Sequence, residues 1–373
     1  MAEDKKTKHA TTSSEKVAFV GVGKITHAAV EGLLLSGFSA RNITVAGREE
    51  TNLSKILSLG NINPTVKLVN ALHADTLIIA IQPGHLGGFV KDMQRAREEY
   101  RSLKHHYPNQ NIISFISNES PEKLAEHLDI PKINIIGATL DTNVACGRGT
   151  ILYTATEAGN HSSSLELLKR IGTPYNQLNY EQVAKGVVTV GAGKAGHLKC
   201  LKLWFEGRSN EDLNRSIRRL HTAFSEHTNV TTGFFGFSVE DEAMNFPYKS
   251  YLATHARVLA EVLGYDEFEA LLLVTKSFVN TIASLAAQKT ITFALLDKAI
   301  TQVATKGGCT EQGLGLLKTA SDIEHENLLN LFYSKIWNRT QQFENDILIS
   351  LGQEDPSSAA VFTGLANGYM LPG

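Results

Sequence analysis

A chain of 373 residues exceeds what one hydrophobic core ordinarily serves, so two packed units are expected. Hydrophobic residues at 42% and charged residues at 20% exclude wholesale disorder, and a formal net charge of −2 excludes the broad basic surface that grips a nucleic-acid backbone. No uninterrupted apolar run reaches the ~20 residues that span a bilayer, so no membrane association is expected.

Met1–Glu15 is polar and lysine-rich and lacks the apolar stretch of a secretory signal, which marks it as a disordered leader. From Lys16 onward short apolar runs alternate with longer helical stretches: Val17–Val20, Ile43–Ala46, Val66–Val69, Thr76–Ile81, Ile112–Ile116 and Ile133–Ile136. Such runs are strands buried on both faces, so the expected sheet is mostly parallel and helix-covered, a doubly wound α/β Rossmann domain over residues 16–180. A strand at Thr150–Thr154, a helix at Ser162–Arg170 and a short strand at Pro174–Gln177 complete this layer. Beyond Tyr180 segments of helical period follow one another at Leu252–Leu263, Glu267–Gln288, Phe293–Ala304 and Glu324–Ile347. The expectation is an all-α unit over residues 181–352, with an irregular excursion at Asn229–Ser250 and a loose tail over residues 353–373. Cys146, Cys200 and Cys309 are odd in number and far apart, which fits neither a metal site nor a disulfide framework and favours a reducing, cytoplasmic setting.

The first strand runs into Gly21-Val-Gly23-Lys24-Ile25-Thr26 and then a helix. The first glycine permits the tight turn, the second admits a pyrophosphate, and the helix amino terminus offers N–H groups to it. Thr26 stands where this fingerprint has Gly or Ala. The second strand ends at Ala46-Gly47-Arg48, and an arginine there suits a 2′-phosphate, favouring NADPH over NADH. Ala80-Ile-Gln82-Pro83-Gly84 follows the fourth strand at the carboxyl edge, beside the nicotinamide position.

In the carboxyl half, Lys306-Gly307-Gly308-Cys309-Thr310-Glu311-Gln-Gly313-Leu314 offers N–H and O–H donors that could hold a carboxylate, or caps a helix. This segment, with Phe19–Gly23, Gly32-Leu-Leu, Ser36-Gly37, Ala74-Asp75 and Ile79–Pro83, resembles pyrroline-5-carboxylate reductase from about Lys16 to Asp346. The resemblance implies hydride delivery from NADPH to the C=N carbon of a cyclic imino acid, held between the Rossmann edge and a helical domain that pairs two chains. It makes Thr310 the hydrogen-bond partner near the imine nitrogen and Gly307, Gly308, Cys309 and Thr310 a carboxylate clamp.

Departures from that family fall at the site: Thr139-Leu-Asp141-Thr142-Asn143 keeps only the threonine, Gln82 replaces a lysine, Lys306 a proline, and Val190-Gly-Ala-Gly193-Lys194-Ala195 a serine-glycine element. An insertion at about residues 197–250 also lengthens the helical half. These changes point to a different substrate, with Asp141 and Lys194 as candidate contacts. Gly191–Lys202 is also similar to the catalytic helix of β-hydroxyacid and 6-phosphogluconate dehydrogenases, which makes Lys199 or Lys194 a candidate general acid/base. A third reading is a cofactor-binding regulatory protein without turnover. His105-His106 reads as surface, His197 as a core or anion-binding residue, and Phe234, Phe235, Phe237 and Tyr248 as packing under a loop or as a lid.

Overall fold

The computed structural model describes residues 15–99, 110–177, 179–226, 248–303, 310–314 and 325–352. The leader to residue 14, His105-His106, Phe234, Phe235, Phe237, the Gly307-Gly308-Cys309 segment and the tail lie outside the described residues.

The amino-terminal unit runs β1 (Val17–Val20), α1 (Lys24–Leu35), β2 (Ile43–Ala46), α2 (Glu50–Ile56), β3 (Asn63–Thr65), α3 (Leu68–Ala71), β4 (Thr76–Ile79), α4 (Leu86–Glu99), β5 (Asn111–Ser114), α5 (Pro121–Leu128), β6 (Ile135–Leu140), β7 (Gly149–Ala155), α6 (Ser162–Ile171) and β8 (Gly172–Asn176). The strands form one sheet in the order β3-β2-β1-β4-β5-β6-β7-β8. Every neighbouring pair is parallel except β6 and β7, and Val17 of β1 sits beside Ile43 on one side and Thr76 on the other. Every residue of β1 and β4 is buried, as continuous apolar strands require when helices cover both faces. One face packs under α1 and α6 through Phe19, Val30, Leu33 and Leu168, the other under α4 and α5 through Leu77, Phe89, Met93 and Leu124.

The third strand differs from its expected place. It is Asn63–Thr65, and the apolar Val66–Val69 run instead leads into α3, with Val66 half exposed. Pro64 is tolerated there because β3 is an edge strand, free of a second neighbour that would need its missing N–H.

The second unit is helical: α7 (Tyr180–Gly186), a π-helical segment at Val187–Ala192, α8 (Gly193–Trp204), α9 (Asn210–Glu226), α10 (Tyr248–Leu263), α11 (Glu267–Ala286), α12 (Phe293–Val303) and α13 (His325–Leu351). Here α9 occupies part of the expected insertion, and its Leu213, Ile217, Leu220 and Phe224 join the core of the unit. Asp266 caps α11 by accepting from the N–H groups of Phe268 and Glu269. By length and composition α11 could cross a bilayer, yet Leu273, Val274, Phe278 and Ile282 are buried in the helical core.

Most consequential for the site is α13, because its two halves belong to different cores. Phe332, Tyr333 and Ile336 pack with the helices, whereas Ile347 packs under the sheet. The second half rests on the start of α4, where the Gly87 N–H donates to Ser350 Oγ at 3.0 Å and a methyl group on Gly87 would overlap the Ser350 backbone. Gly87→Ala is therefore expected to lower stability by about 1–3 kcal/mol through overpacking. Chemical denaturation checks this, and an unchanged midpoint would show that α13 does not need the close approach.

Candidate active site

The turn after β1 is built for a close backbone approach. Gly21 has φ +105°, its N–H donates to the Ala46 carbonyl at 2.9 Å, and a side chain there would overlap the Ala80 carbonyl. Gly23 forms the N-cap of α1, with nothing within 4 Å of the place a Cβ would take. No side chain caps α1 and its first turn holds no acid, so its leading N–H groups face an open space suited to phosphate oxygens. Thr26 is buried and donates from Oγ1 to the Gly21 carbonyl at 2.8 Å, which explains how a threonine replaces the third small residue: it ties the turn shut.

At the end of β2, the Gly47 N–H donates to the Thr65 carbonyl and Arg48 reaches Asp92 at 3.4 Å across the surface. With the Arg48 side chain 63% exposed, this pair costs little to break, leaving the guanidinium available to a 2′-phosphate. Gly88 leaves the room: a Cβ there would come within 2.6 Å of Arg48 Nη2. The turn, the uncapped helix and the exposed guanidinium together fit an NADP-type dinucleotide.

Along the carboxyl edge of the sheet opens a cavity of about 450 Å³. Its wall takes Gly23, Lys24 and Ile25 from the turn, Ala80 to His85 after β4, Phe115 and Ser117 after β5, Ala138 to Leu140 and Thr142 around the end of β6, Val187 and Gly191 from the π-helical segment, Val303, Thr310, and Arg339, Phe343 and Asp346 from α13. Lys24 Nζ donates to the Thr301 carbonyl at 2.7 Å, tying the cofactor turn to the end of α12; burial pulls its ammonium below the usual lysine range, opposed by Glu311. Arg339 lies over the Phe343 ring at 4.7 Å and pairs with Asp346 at 2.8 Å.

Thus Gly23, Lys24, Ile25, Ala80, Gln82, Pro83 and Thr310 come together around one space. Asp141 does not join them. It is fully buried, its carboxylate accepts from the Asn143 backbone N–H at 2.8 Å and caps the turn at Thr142–Cys146, and burial pushes its carboxyl up to about 6 against the opposing pull of Lys194 and Asn143. It is a structural cap rather than a substrate contact. Lys194 also stands apart from the cavity and lines a second cleft of about 890 Å³ behind α1, where Nζ donates to Thr142 Oγ1 at 3.0 Å. Lys199, the other candidate general acid/base, is half-buried on α8 and lines neither space. His197 is a core residue, edge-on to Phe278 and stacked near His255, with burial pushing its imidazole down to about 3. Among the described residues no group of three or more His, Cys, Asp or Glu is placed to hold a metal ion.

Residues 16–103 match the family described as NADP oxidoreductase coenzyme F420-dependent. A pyrroline-5-carboxylate reductase of Vibrio alginolyticus is 24% identical over 162 residues, 42% of this chain and 56% of that protein. The match spans little more than half of that relative's length. Among solved structures, a pyrroline carboxylate reductase of Plasmodium falciparum with NADP bound covers 90% of this chain and 98% of its own at 13% identity and a TM-score of 0.45. The pyrroline-5-carboxylate reductase of Coxiella burnetii covers 89% and 98% at 15% identity and a TM-score of 0.43. Residues 16–103 are thus similar to the NAD(P)-binding domain of an oxidoreductase.

Several cavity residues were not among the expected contacts, namely Ser117, Arg339, Phe343 and Asp346, and Thr142, which keeps the reductase pattern, was given no role. Arg339, Phe343 and Asp346 fall on one face of α13 at helical spacing, a signal readable in sequence, although where that face docks is not. Behind Ser117, Glu119 is buried and lies 3.4 Å from His127, while its backbone N–H donates to Tyr180 Oη at 3.1 Å. Burial pushes the Glu119 carboxyl up to about 8 and the His127 imidazole down, so near neutral pH the contact joins a protonated carboxyl to a neutral imidazole.

Each arrangement gives a measurable consequence. An unfolded glutamate releases its proton near pH 4.3 whereas folded Glu119 keeps it until about 8, so stability is fully present below the lower value and is lost as pH rises through the window. Glu119→Gln is expected to flatten that fall, gaining up to a few kcal/mol at alkaline pH; parallel denaturation curves for the two proteins at pH 5 and 9 would sink the assignment. Thr26→Val removes a buried hydrogen bond and is expected to cost about 1–3 kcal/mol and to weaken NADPH binding, read by denaturation and fluorescence titration.

Proposed function

We propose that this chain is an NADPH-dependent reductase that delivers hydride to the C=N carbon of a small cyclic imino acid, acting in the cytoplasm as a homodimer or larger homo-oligomer. The observation that carries this reading is a cavity lined by both the dinucleotide turn and Thr310. Its volume, about 450 Å³, suits a small ring lying beside a flat cofactor head.

When bound, the reduced nicotinamide supplies the hydride. The chain's own residues supply position and charge. The amino terminus of α1 and Arg48 hold the phosphates. Lys24 and Arg339 give the cavity the cations that a carboxylate needs, with Asp346 limiting the excess. The Thr310 hydroxyl orients the polar edge of the substrate. Phe115, Val187 and Phe343 exclude water, which strengthens each of these interactions. Because an iminium carbon accepts hydride readily, fixing distance and orientation is most of the work. Leu203, Trp204, Phe268 and Leu331 leave apolar surface on the helical unit that chain pairing would cover.

The test is NADPH oxidation across cyclic imino acids of differing ring size, with linear imines, 2-keto acids and hydroxyacids as controls. Turnover is expected with a cyclic imino acid, falling about tenfold or more in Thr310→Val. Arg48→Glu is expected to raise the KM for NADPH far more than that for NADH. Tight NADPH binding with no oxidation by any substrate would replace the enzyme reading with a regulatory one.

A further inference from the structure

We propose that Thr142 and Lys194 form a proton relay through the wall between the two spaces, Thr142 giving the proton to the substrate nitrogen and Lys194 replacing it from the outer cleft. This rests on the imine-reductase reading and adds the source of the proton.

Thr142 lines both the active cavity and the outer cleft. Lys194 Nζ donates to Thr142 Oγ1 at 3.0 Å, so the hydroxyl accepts from behind and its own hydrogen is left to turn toward an acceptor in the cavity. Lys194 is only 9% exposed, yet it forms part of the outer cleft, through which solvent reaches it. The charged and titratable groups around it are Asp141 and Cys146 beside it and Lys24, His27, Glu31 and Lys298 across the cleft. Burial holds its ammonium below the usual lysine range, opposed first by Asp141 and then by Cys146, which eases release of a proton without abolishing the charged form. Asp141 thereby has a use: it is the buried counter-charge of the relay.

The balance closes. A neutral imine takes hydride from the reduced nicotinamide at carbon while the C=N π pair moves to nitrogen. Nitrogen takes the Thr142 hydroxyl proton, and Thr142 Oγ1 takes one from Lys194 Nζ. The neutral amine of Lys194 then takes a proton from water in the outer cleft. The sum is imine, reduced nicotinamide and one proton going to amine and oxidised nicotinamide. At acid pH the imine arrives already protonated and the relay is not needed.

The experiment is the pH profile of kcat/KM for whichever cyclic imino acid is turned over. Lys194→Met and Thr142→Val are expected to lose about 100-fold on the alkaline side and little on the acid side. Lys194→Arg, which keeps a cation but does not release its proton, should fall with Lys194→Met, whereas Thr142→Ser should follow wild type. Ethylamine added to Lys194→Ala should restore the alkaline rate by entering the cleft. A readout independent of turnover is the side-chain 15N NMR signal of Lys194, which should move when NADP and the cyclic amino acid formed from the imine that is turned over are added to wild type and stay put in Thr142→Val. Profiles of Lys194→Met and Lys194→Arg that superimpose on wild type would overturn the relay while leaving the reductase reading intact. If no imine is reduced at all, the reductase reading fails and the relay with it; if one is reduced, a Lys194 signal indifferent to its product and NADP overturns the relay alone.

Discussion

The active cavity exists because one rigid helix is anchored in two hydrophobic cores. With 27 residues α13 is about 40 Å long, enough to leave Phe332 and Tyr333 among the helices and carry Ile347 to the underside of the sheet. Side-chain bonds fix its second half against the Rossmann unit: Asn118 Nδ2 donates to the Thr340 carbonyl at 2.8 Å, and Lys123 pairs with Glu344 at 3.0 Å. The exposed ion pair adds little by itself, so the fixed position comes mainly from burial of Ile347 and the close contact at Gly87. Arg339, Phe343 and Asp346 then face the sheet edge with no freedom to leave it as a group.

That edge is where the parallel sheet changes direction. From β1 the chain order runs outward to β2 and β3 on one side and to β4 and β5 on the other, so the loops after β1 and β4 part and leave a crevice between them. Gly21 and Ala80 sit on its two lips, close enough that only a glycine fits. Thr26 strengthens the same turn from below. A dinucleotide site at this point follows from topology, and the residues there refine it without creating it.

The sheet was readable because β1 is apolar throughout and β2, β4 and β6 carry one threonine each in otherwise apolar or glycine runs, a pattern that burial on both faces favours. The edge strand β3 was not, since Asn63-Pro64-Thr65 has neither the apolar run nor the alternation of a strand and is held only by its pairing with β2. In α9 the spacing of Leu213, Ile217, Leu220 and Phe224 is helical, but the charged residues between them hide it within an apparent insertion. For the site, the glycine turn and the β4 edge are local features and so were legible. Arg339 and Asp346 reach the cavity only through the long return of α13, which no spacing records. Asp141 was misplaced for the opposite reason: its position beside Thr142 is right for the cavity, but an aspartate two residues before an asparagine N–H turns back to cap its own backbone.

Several of the named departures from the reductase pattern fall at or next to the cavity. Gln82, Thr139, Leu140, Thr142 and Gly191 line the active cavity, and Lys194 lies behind Thr142 on the outer cleft. Meanwhile the positions that hold the frame retain the pattern: Gly21, Gly23 and the apolar strands that deliver them. A chain that kept the fold but lost its chemistry would show changes without regard to distance from the cavity, and would have no reason to bury a lysine and an aspartate together at its boundary. Burying both charges is costly unless they are paired, and that cost is easiest to understand where the ammonium must stand behind a hydroxyl at the edge of the reacting space. On the proposed reading, the divergence at the cavity is a change of substrate rather than a loss of chemistry.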